Sequence, residues 1–421
     1  MKKDKSDHDL VKKTSLNEKL NKKSDFRIYE LILFGVLIIV ASVSLTVVVI
    51  NETRSIGNDG NYNISFKDDE QLEEFNEVYN IINDSYYKNV DKDELINGAI
   101  NGMLSSLEDP HTSYFSESEA ENFNELMNGS YEGIGAEISV NESGNIFIFS
   151  VFKNSPAQEV GLKFNDVILE VNGESTKGLM TTQVVALIKD PNVSKANIKV
   201  DRDGEVLEFE VERRTIVIES VESRTFDTNG KKIGYVLINT FANNTYEQFR
   251  EHVEALEDEN IEGLVIDVRG NSGGYLHSVT SMLDMFLPKG SISYQIADKN
   301  STQKYTSTTE ESRNYPVAVL VNKSSASASE ILAISLKESY GAYVVGTYTY
   351  GKGTVQTTKN LASGGMIKYT IQKWLSPKGN WINDVGVAPT HEVELSSEYE
   401  NNPTDENDNQ LRKALDLVST K

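Results

Sequence analysis

Residues 315–339 read YPVAVLVNKSSASASEILAISLKES and combine a strand pattern with a helix pattern. Its apolar first third is typical of a buried strand, and ASEILAISLKES predicts a helix. The small residues between them indicate a tight strand-to-helix junction. A helix N-terminus offers unpaired N–H groups and partial positive charge, which suit a nucleophile, although the same pattern also caps ordinary helices. Four serines are candidates for the nucleophile: Ser324, Ser325, Ser327 and Ser329.

The alternation of strand and helix extends on both sides of this stretch. Apolar strand patterns occupy residues 232–240, 263–270 and 342–349, and helical patterns occupy residues 246–260 and 278–287. Apolar strands that alternate with helices predict an α/β core with a largely buried sheet.

Two glycine-rich segments also follow apolar strands. Residues 349–356 read TYGKGTVQ and place Lys352 between two glycines. No histidine lies near the serines in sequence, so a Ser–Lys pair is a candidate, provided that burial lowers the lysine pKa from about 10.4 to near 7. Residues 266–274 read IDVRGNSGG, whose glycines free a backbone N–H to face a reaction centre, as an oxyanion hole requires.

Residues 131–214 carry short alternating β patterns separated by Gly, Asn and Asp turns. Within them, YEGIGA, SPAQEVGL and DVILEVNG follow one another and together resemble a PDZ domain, which binds peptide ends. A glycine turn there exposes N–H groups to a carboxylate, and the adjoining strand edge accepts an extended peptide. Asn165 and Val160 depart from the usual Gly and Ala without undoing the fold. The alternative is a β-rich spacer that binds nothing.

The N-terminal part predicts a membrane anchor. Residues 31–50 form a run of twenty residues without a charge, long enough for a helix of about 30 Å to cross a bilayer. Residues 1–30 hold nine Lys/Arg against six Asp/Glu, so the positive-inside rule puts the N-terminus in the cytoplasm and the remainder outside. A cleaved signal peptide is the alternative, although its apolar core is usually about 7–15 residues long.

Composition excludes several function classes. A formal net charge of -23 argues against nucleic-acid binding. The absence of cysteine excludes thiol nucleophiles, disulfides and cysteine-based metal sites. Five scattered histidines without an H-E-x-x-H pattern disfavour a zinc peptidase, so neither a metal nor a cofactor is expected.

The SASASE block, the GKGTVQ block about 25 residues later and the upstream DVRGNSGG turn, in this order, resemble the C-terminal processing peptidases. The resemblance covers roughly residues 66–395. Two positions depart from the family pattern: Ser272 replaces the usual Pro before Gly-Gly, and Ser325 replaces a usual Gly. Both lie beside the reacting atoms, so tuning rather than loss of activity is expected.

The resemblance implies a serine endopeptidase that uses no cofactor and recognises protein C-terminal tails through its PDZ domain. It assigns Ser327 as the nucleophile and Lys352 as the general base, and Gln356 would orient that base if residues 352–356 are helical. The two oxyanion N–H groups are those of Gly273 and Ala328. The carboxylate-binding loop consists of Gly133, Ile134 and Gly135.

The expected fold is a multidomain α/β chain with an N-terminal transmembrane helix, a small helical module and a PDZ-like β-rich domain before an α/β protease core. A tethered peptide-binding protein without activity and a hydrolase of small esters are the rival functions. A homodimer through residues 66–127 or 396–421 is possible. The expected segments are a cytoplasmic tail (1–30), a transmembrane helix (31–50), a linker (51–65), a helical module (66–127), the PDZ-like domain (131–214), the protease core (215–395) and a C-terminal helical tail (396–421).

Overall fold

The computed structural model describes residues 69–190, 192–310 and 312–420. The described chain divides into two units, the first ending at Ile96 and the second beginning at Asn97. The predicted cytoplasmic tail, transmembrane helix and linker lie outside the described residues. Within those described ranges, no helix combines the length and apolar character needed to cross a membrane.

The helices are α1 Asp69–Ser85, α2 Lys92–Ser105, α3 Glu117–Asn128, α4 Pro156–Val160, α5 Thr181–Ile188, α6 Thr245–Asp258, α7 Leu276–Phe286, α8 Ala328–Ser335, α9 Ser397–Asn401 and α10 Asn409–Ser419, and a π-helical turn, Leu336–Tyr340, extends α8. The strands are β1 Ser113–Phe115, β2 Ser130–Gly133, β3 Ala136–Val140, β4 Ile146–Val151, β5 Val167–Val171, β6 Glu174–Ser175, β7 Lys195–Arg202, β8 Glu205–Glu212, β9 Arg214–Val217, β10 Val221–Thr228, β11 Lys231–Ile238, β12 Gly263–Asp267, β13 Ile292–Ala297, β14 Thr302–Thr306, β15 Val317–Val321, β16 Tyr343–Gly346, β17 Thr354–Asn360, β18 Met366–Leu375 and β19 His391–Glu392.

The region predicted to be helical contains α1, α2 and α3, with the short strand β1 between α2 and α3. Helix α1 lies in the first unit and repeats large apolar residues every three positions. Those side chains remain exposed: Leu72, Phe75, Val78 and Ile81. Side chains three positions apart are neighbours on a helix surface, so these four form an exposed apolar stripe that winds around α1.

The PDZ region is a sheet in the order β3-β4-β5-β7-β8, with β6 attached to β5. Alternating residues of β4, β5 and β7 point into one core, where Ile148, Ile168 and Ile198 are buried together with Val184 of α5. Strand β3 lies at the edge of this sheet and packs against α5. The groove between them therefore has an unpaired strand edge on one side.

The predicted protease core contains a six-stranded sheet in the order β10-β11-β12-β15-β16-β19. All neighbours in it are parallel except β10 and β11, which are antiparallel. One face packs against α6, α7 and α8, and the other packs against α10. Because both faces are covered, the central strands β11, β12, β15 and β16 carry runs of buried apolar residues rather than an alternating pattern, as the sequence predicted.

A second sheet has the order β1-β18-β13-β14, and β17 also pairs with β18. Its strands pair antiparallel.

In the core sheet, the carboxyl ends of β12, β15 and β16 lie side by side because the three strands are parallel and in register. This edge of a parallel sheet is where α/β folds usually place their sites.

Candidate active site

Three turns meet at the carboxyl edge of the core sheet. Residues 268–275 follow β12, residues 322–327 follow β15, and residues 347–353 follow β16. They are the three segments that carry the predicted chemistry. We call them the oxyanion turn, the nucleophile turn and the lysine strap.

Ser327 is the last residue before α8 and has a strained backbone, with φ of 53° and ψ of -113°. A non-glycine residue in such a region costs about 1–3 kcal/mol and persists only where the surroundings hold it. Its side chain is half-buried, whereas the neighbouring Ser325 and Ser329 are fully buried. Ser324 is exposed. The geometry therefore separates Ser327 from the other three candidate serines.

Hydrogen bonds join the nucleophile turn to the oxyanion turn. The Ser325 hydroxyl donates to the Val268 carbonyl at 2.8 Å, which gives this departure from the family's glycine a physical role. The Ala326 N–H and the Ser329 hydroxyl both donate to the Asn271 carbonyl, at 3.1 Å and 2.8 Å. The two turns therefore form one rigid unit beneath Ser327.

The two predicted oxyanion amides differ in this structure. The N–H of Ala328, at the start of α8, donates to no acceptor among the described residues. The N–H of Gly273 donates to Asn271 Oδ1 at 2.8 Å. A Cβ added at Gly273 would lie 2.8 Å from the Ala326 carbonyl oxygen and 2.9 Å from Ser327 Cβ, so this glycine lies directly against the nucleophile turn. Its amide would have to exchange Asn271 for a substrate oxygen.

The lysine strap holds Lys352 by its backbone. Its N–H donates to Glu330 Oε2 at 2.8 Å, and its carbonyl accepts from Trp374 Nε1 at 2.8 Å. The flanking glycines are sterically required, because a Cβ at Gly351 would lie 2.9 Å from the Gly386 nitrogen, and one at Gly353 would lie 2.6 Å from Trp381 Nε1.

Glu330 connects Ser327 to Lys352. Its side chain is fully buried, at 0% exposure, inside the first turn of α8. Oε2 accepts both the Ser327 N–H and the Lys352 N–H, each at 2.8 Å. Oε1 accepts the Gly351 N–H at 2.7 Å and the Thr349 hydroxyl at 2.5 Å. A single carboxylate thus fixes the backbone of both predicted catalytic residues.

Burial lowers the pKa of Lys352 to about 8, with the charge of Lys368 acting in the same direction and those of Asp109 and Glu330 opposing it. Desolvation favours the neutral form of an amine, so a large fraction of Lys352 carries a free electron pair slightly above neutral pH. This is the state that a general base requires.

The suggestion that residues 352–356 are helical is wrong. Thr354–Asn360 is strand β17, so Gln356 does not lie one helical turn beyond Lys352. Its side-chain amide donates to the hydroxyls of Thr354, at 2.8 Å, and Thr370, at 3.2 Å. Pairing with β18 outweighs the local pattern, because a four-residue spacing fits either conformation until the partner strand is known.

The predicted carboxylate loop lies in the PDZ region, at the start of the edge strand β3. Gly133 ends β2, Ile134 is buried, and Gly135 has φ of 75°. The Ile134 carbonyl accepts the N–H of Ala157 at 2.8 Å, and the Gly135 carbonyl accepts the N–H of Phe152 at 2.9 Å. The N–H groups of Ile134 and Gly135 have no acceptor within the described part of the chain.

The sequence did not identify several residues that build the site. Glu330 was visible only as the end of the serine block. Arg269 is half-buried and binds the carboxylates of Asp267, at 2.6 Å, and Asp408, at 2.7 Å, so α10 is tied to the oxyanion turn. The contact of Arg269 with Asp408 and those of Glu330 with the lysine strap join distant parts of the chain and leave no local signal. Across residues 69–190, 192–310 and 312–420, no cluster of three or more His, Asp or Glu side chains could hold a metal ion.

Comparison with known proteins relates each region to a family. Residues 232–393 match peptidase family S41, residues 125–201 match the PDZ domain, and residues 42–119 match the N-terminal domain of the activating protease CtpB.

Two curated relatives span most of the chain. The carboxy-terminal processing protease CtpB of Bacillus subtilis is 43% identical over 325 residues, which is 76% of this chain and 68% of that protein. The carboxy-terminal processing protease CtpA of the same organism is 36% identical over 329 residues, covering 78% and 70%. The solved photosystem II D1 C-terminal processing protease is 26% identical, with 79% and 90% covered and a TM-score of 0.45.

Proposed function

The chain belongs to the carboxy-terminal processing proteases, serine peptidases of family S41 that carry a PDZ domain, and on this premise we propose that it cleaves proteins outside the cytoplasmic membrane with Ser327 and Lys352 as its reacting pair. The observation that carries the proposal is the shared acceptor Glu330, which binds the backbone of a strained serine and that of a lysine with a lowered pKa.

The proposed reaction is acyl transfer in two steps. Neutral Lys352 removes the Ser327 hydroxyl proton while the oxygen attacks a peptide carbonyl carbon, and N–H groups stabilise the oxyanion. The protonated lysine then gives its proton to the leaving amine, which leaves an acyl ester on Ser327. Lys352 next deprotonates a water molecule that attacks this ester, which releases the acid and restores the serine.

The proposal is tested by comparing the full-length wild-type chain with Ser327→Ala, using an unstructured protein with an apolar C-terminus. Mass spectrometry of the fragments should show cleavage by the wild type alone. A circular dichroism spectrum checks that the variant is folded. Equal cleavage by both proteins would refute Ser327 as the nucleophile.

We further propose that the PDZ domain binds the free C-terminus of the substrate. The support is the edge position of β3 and the N–H groups of Ile134 and Gly135, which have no acceptor among the described residues. Further support comes from the partly buried apolar side chains of Ile138 on β3 and Leu187 on α5. An extended peptide would add to β3, with its carboxylate at the loop and its last side chain against apolar groups.

Amidating the substrate's C-terminus should therefore raise KM about 10-fold or more while leaving kcat nearly unchanged. A hydrogen bond to a charged group contributes about 1.5–3 kcal/mol, which is lost with the carboxylate. Steady-state kinetics on matched substrates, one with a free and one with an amidated terminus, measures this effect. A substrate ending in lysine should behave like the amide. Equal KM values for all three would contradict tail recognition.

The membrane anchor and the external location remain proposals that rest on the uncharged run 31–50 and the basic tail before it. If both hold, the full-length chain stays in the membrane pellet after carbonate washing. Protease added outside intact cells then digests its catalytic part. Recovery of the chain in the wash, or protection from the protease, would argue against this arrangement.

A homodimer is proposed for the same chain, on the strength of the exposed apolar stripe of α1. Covering such a stripe removes apolar area from water. Light scattering on the purified full-length chain should give twice the monomer mass, and Phe75→Lys should return it to monomer. A monomeric wild type would refute the dimer.

A further inference from the structure

The face of the β17–β18 pair that adjoins Lys352 carries a second lysine. The side-chain amide of Gln356 reaches the Thr370 hydroxyl, so these two residues lie on the same face of the sheet. Lys368 is two residues before Thr370 on the regularly paired part of β18 and therefore shares that face. Lys352 is two residues before Thr354, whose hydroxyl also accepts from Gln356.

The positive charge of Lys368 is not balanced by an ion pair with any described residue. Its Nζ lies 5.3 Å from the ring centroid of Phe115 and 5.5 Å from that of Phe123. The side chain is half-buried and forms no ion pair with any carboxylate among the described residues. Aromatic faces stabilise a cation without neutralising it. Its positive charge therefore acts on its surroundings undiminished by a counter-ion.

The loop before β1 supplies the opposing charge. Asp109 accepts the Thr112 hydroxyl at 2.6 Å, and Thr112 in turn accepts the Thr370 N–H at 3.3 Å, which ties this loop to the same face. His111 is half-buried, and its ring lies 6.3 Å from that of Tyr350 on the lysine strap. Glu330 faces Lys352 from α8, as described above, and Asp384 acts on His111.

We propose that Lys368 and Asp109 are a pair of positioning residues that set the protonation of Lys352 through their charges, Lys368 by repelling a second proton and Asp109 by attracting one. Two like charges in one poorly solvated region disfavour each other, and an opposite charge has the reverse effect. The two phenylalanine rings favour the charged form of Lys368, whereas Lys352 lies over no ring in the described chain. In this arrangement Lys368 supplies the positive charge and Lys352 acts as the base.

The pKa directions agree with this division. After burial, Lys368 is the largest influence that lowers the pKa of Lys352, and Asp109 is the largest that raises it. Lys352 in turn lowers the pKa of His111, second only to burial. Burial lowers the pKa of Lys368 as well.

The inference rests on Lys352 being the base, and the pH dependence of kcat/KM tests it on the full-length chain. Activity should rise with pH as Lys352 loses its proton. Lys368→Met should shift that rise upward by about 0.5–1 pH unit, a loss of about 3- to 10-fold at pH 7, because the repelling charge is gone. Asp109→Asn should shift it downward. Lys368→Arg keeps the charge and should leave the midpoint in place.

Two variants that only damaged the structure would not move the pH midpoint in opposite directions, as Lys368→Met and Asp109→Asn are expected to do. Lys304→Met, an exposed lysine of the same sheet on β14, is the control and should leave the midpoint unchanged. A Lys368→Met midpoint equal to that of the wild type, whatever its plateau rate, would overturn the inference. If Lys368→Met does not fold, an unmoved or raised midpoint for Asp109→Asn overturns it alone. Full activity of Lys352→Met would instead defeat the proposed function, so the two failures are distinguishable.

Discussion

Lys352→Met is expected to lower kcat/KM at pH 8 by about 10²- to 10⁴-fold, which is the usual contribution of a general base. Methionine keeps the length and the apolar stem of the side chain but cannot accept a proton from Ser327. The wild-type rate should rise with pH through about 8, where Lys352 loses its proton. A fluorogenic peptide assayed between pH 6 and pH 10 measures both effects. KM should change little, since the amine acts on Ser327 rather than on the substrate.

Lys352→Arg is the informative control, because arginine keeps the positive charge and remains protonated at every accessible pH. If Lys352 only stabilised negative charge, the arginine variant would retain much of the activity. We expect it to be as inactive as the methionine variant. An arginine variant within about tenfold of the wild type would contradict the role of Lys352 as base.

Glu330→Gln is expected to lower both the stability and kcat. An amide has one oxygen, which accepts hydrogen bonds, and one NH₂ group, which does not. Two of the four groups that now donate to Glu330 would therefore face the NH₂ group and lose their acceptor. Each buried unsatisfied donor costs about 1–3 kcal/mol, so the free energy of unfolding should fall by about 2–6 kcal/mol. Because the backbones of Ser327 and Lys352 lose a common anchor, kcat should fall about 100-fold.

Urea unfolding and steady-state kinetics measure these two effects. The matched control is Glu338→Gln, because Glu338 also accepts a backbone N–H, that of Lys378 at 2.9 Å, but does so at the surface. It should change the free energy of unfolding by less than about 0.5 kcal/mol. Wild-type kcat in a folded Glu330→Gln would mean that the shared acceptor does not position the two residues.

Much of the fold and the location of the site follow from local patterns. The continuous apolar strands around residues 263–270 and 315–321 predicted a sheet buried on both faces, and helices do cover both faces. The glycines beside Lys352 and before residue 275 marked turns at strand ends. Parallel pairing then brings those ends together, which is a property of the sheet rather than of any one segment.

What the sequence did not reveal depends on contacts between distant residues. Glu330 bonds residues 19 to 22 positions further on, and no local pattern distinguishes it from a helix-capping glutamate. Gln356 was expected on a helical turn because spacing alone does not show that β18 pairs with this segment. Lys368 looks like an ordinary strand lysine until Phe115 and Phe123, more than two hundred residues earlier, are found beneath its charge.

If Ser327 is a nucleophile activated by Lys352, a fluorophosphonate probe should react with Ser327 and with no other residue. The full-length wild type, Ser327→Ala and Lys352→Met would each be treated with the probe between pH 6 and pH 10, and the adduct located by peptide mass mapping. We predict a single adduct on Ser327, formed at a rate that rises through about pH 8, none on Ser327→Ala, and labelling of Lys352→Met slowed at least about 100-fold. An adduct on another residue, or equally fast labelling of Lys352→Met, would contradict the claim.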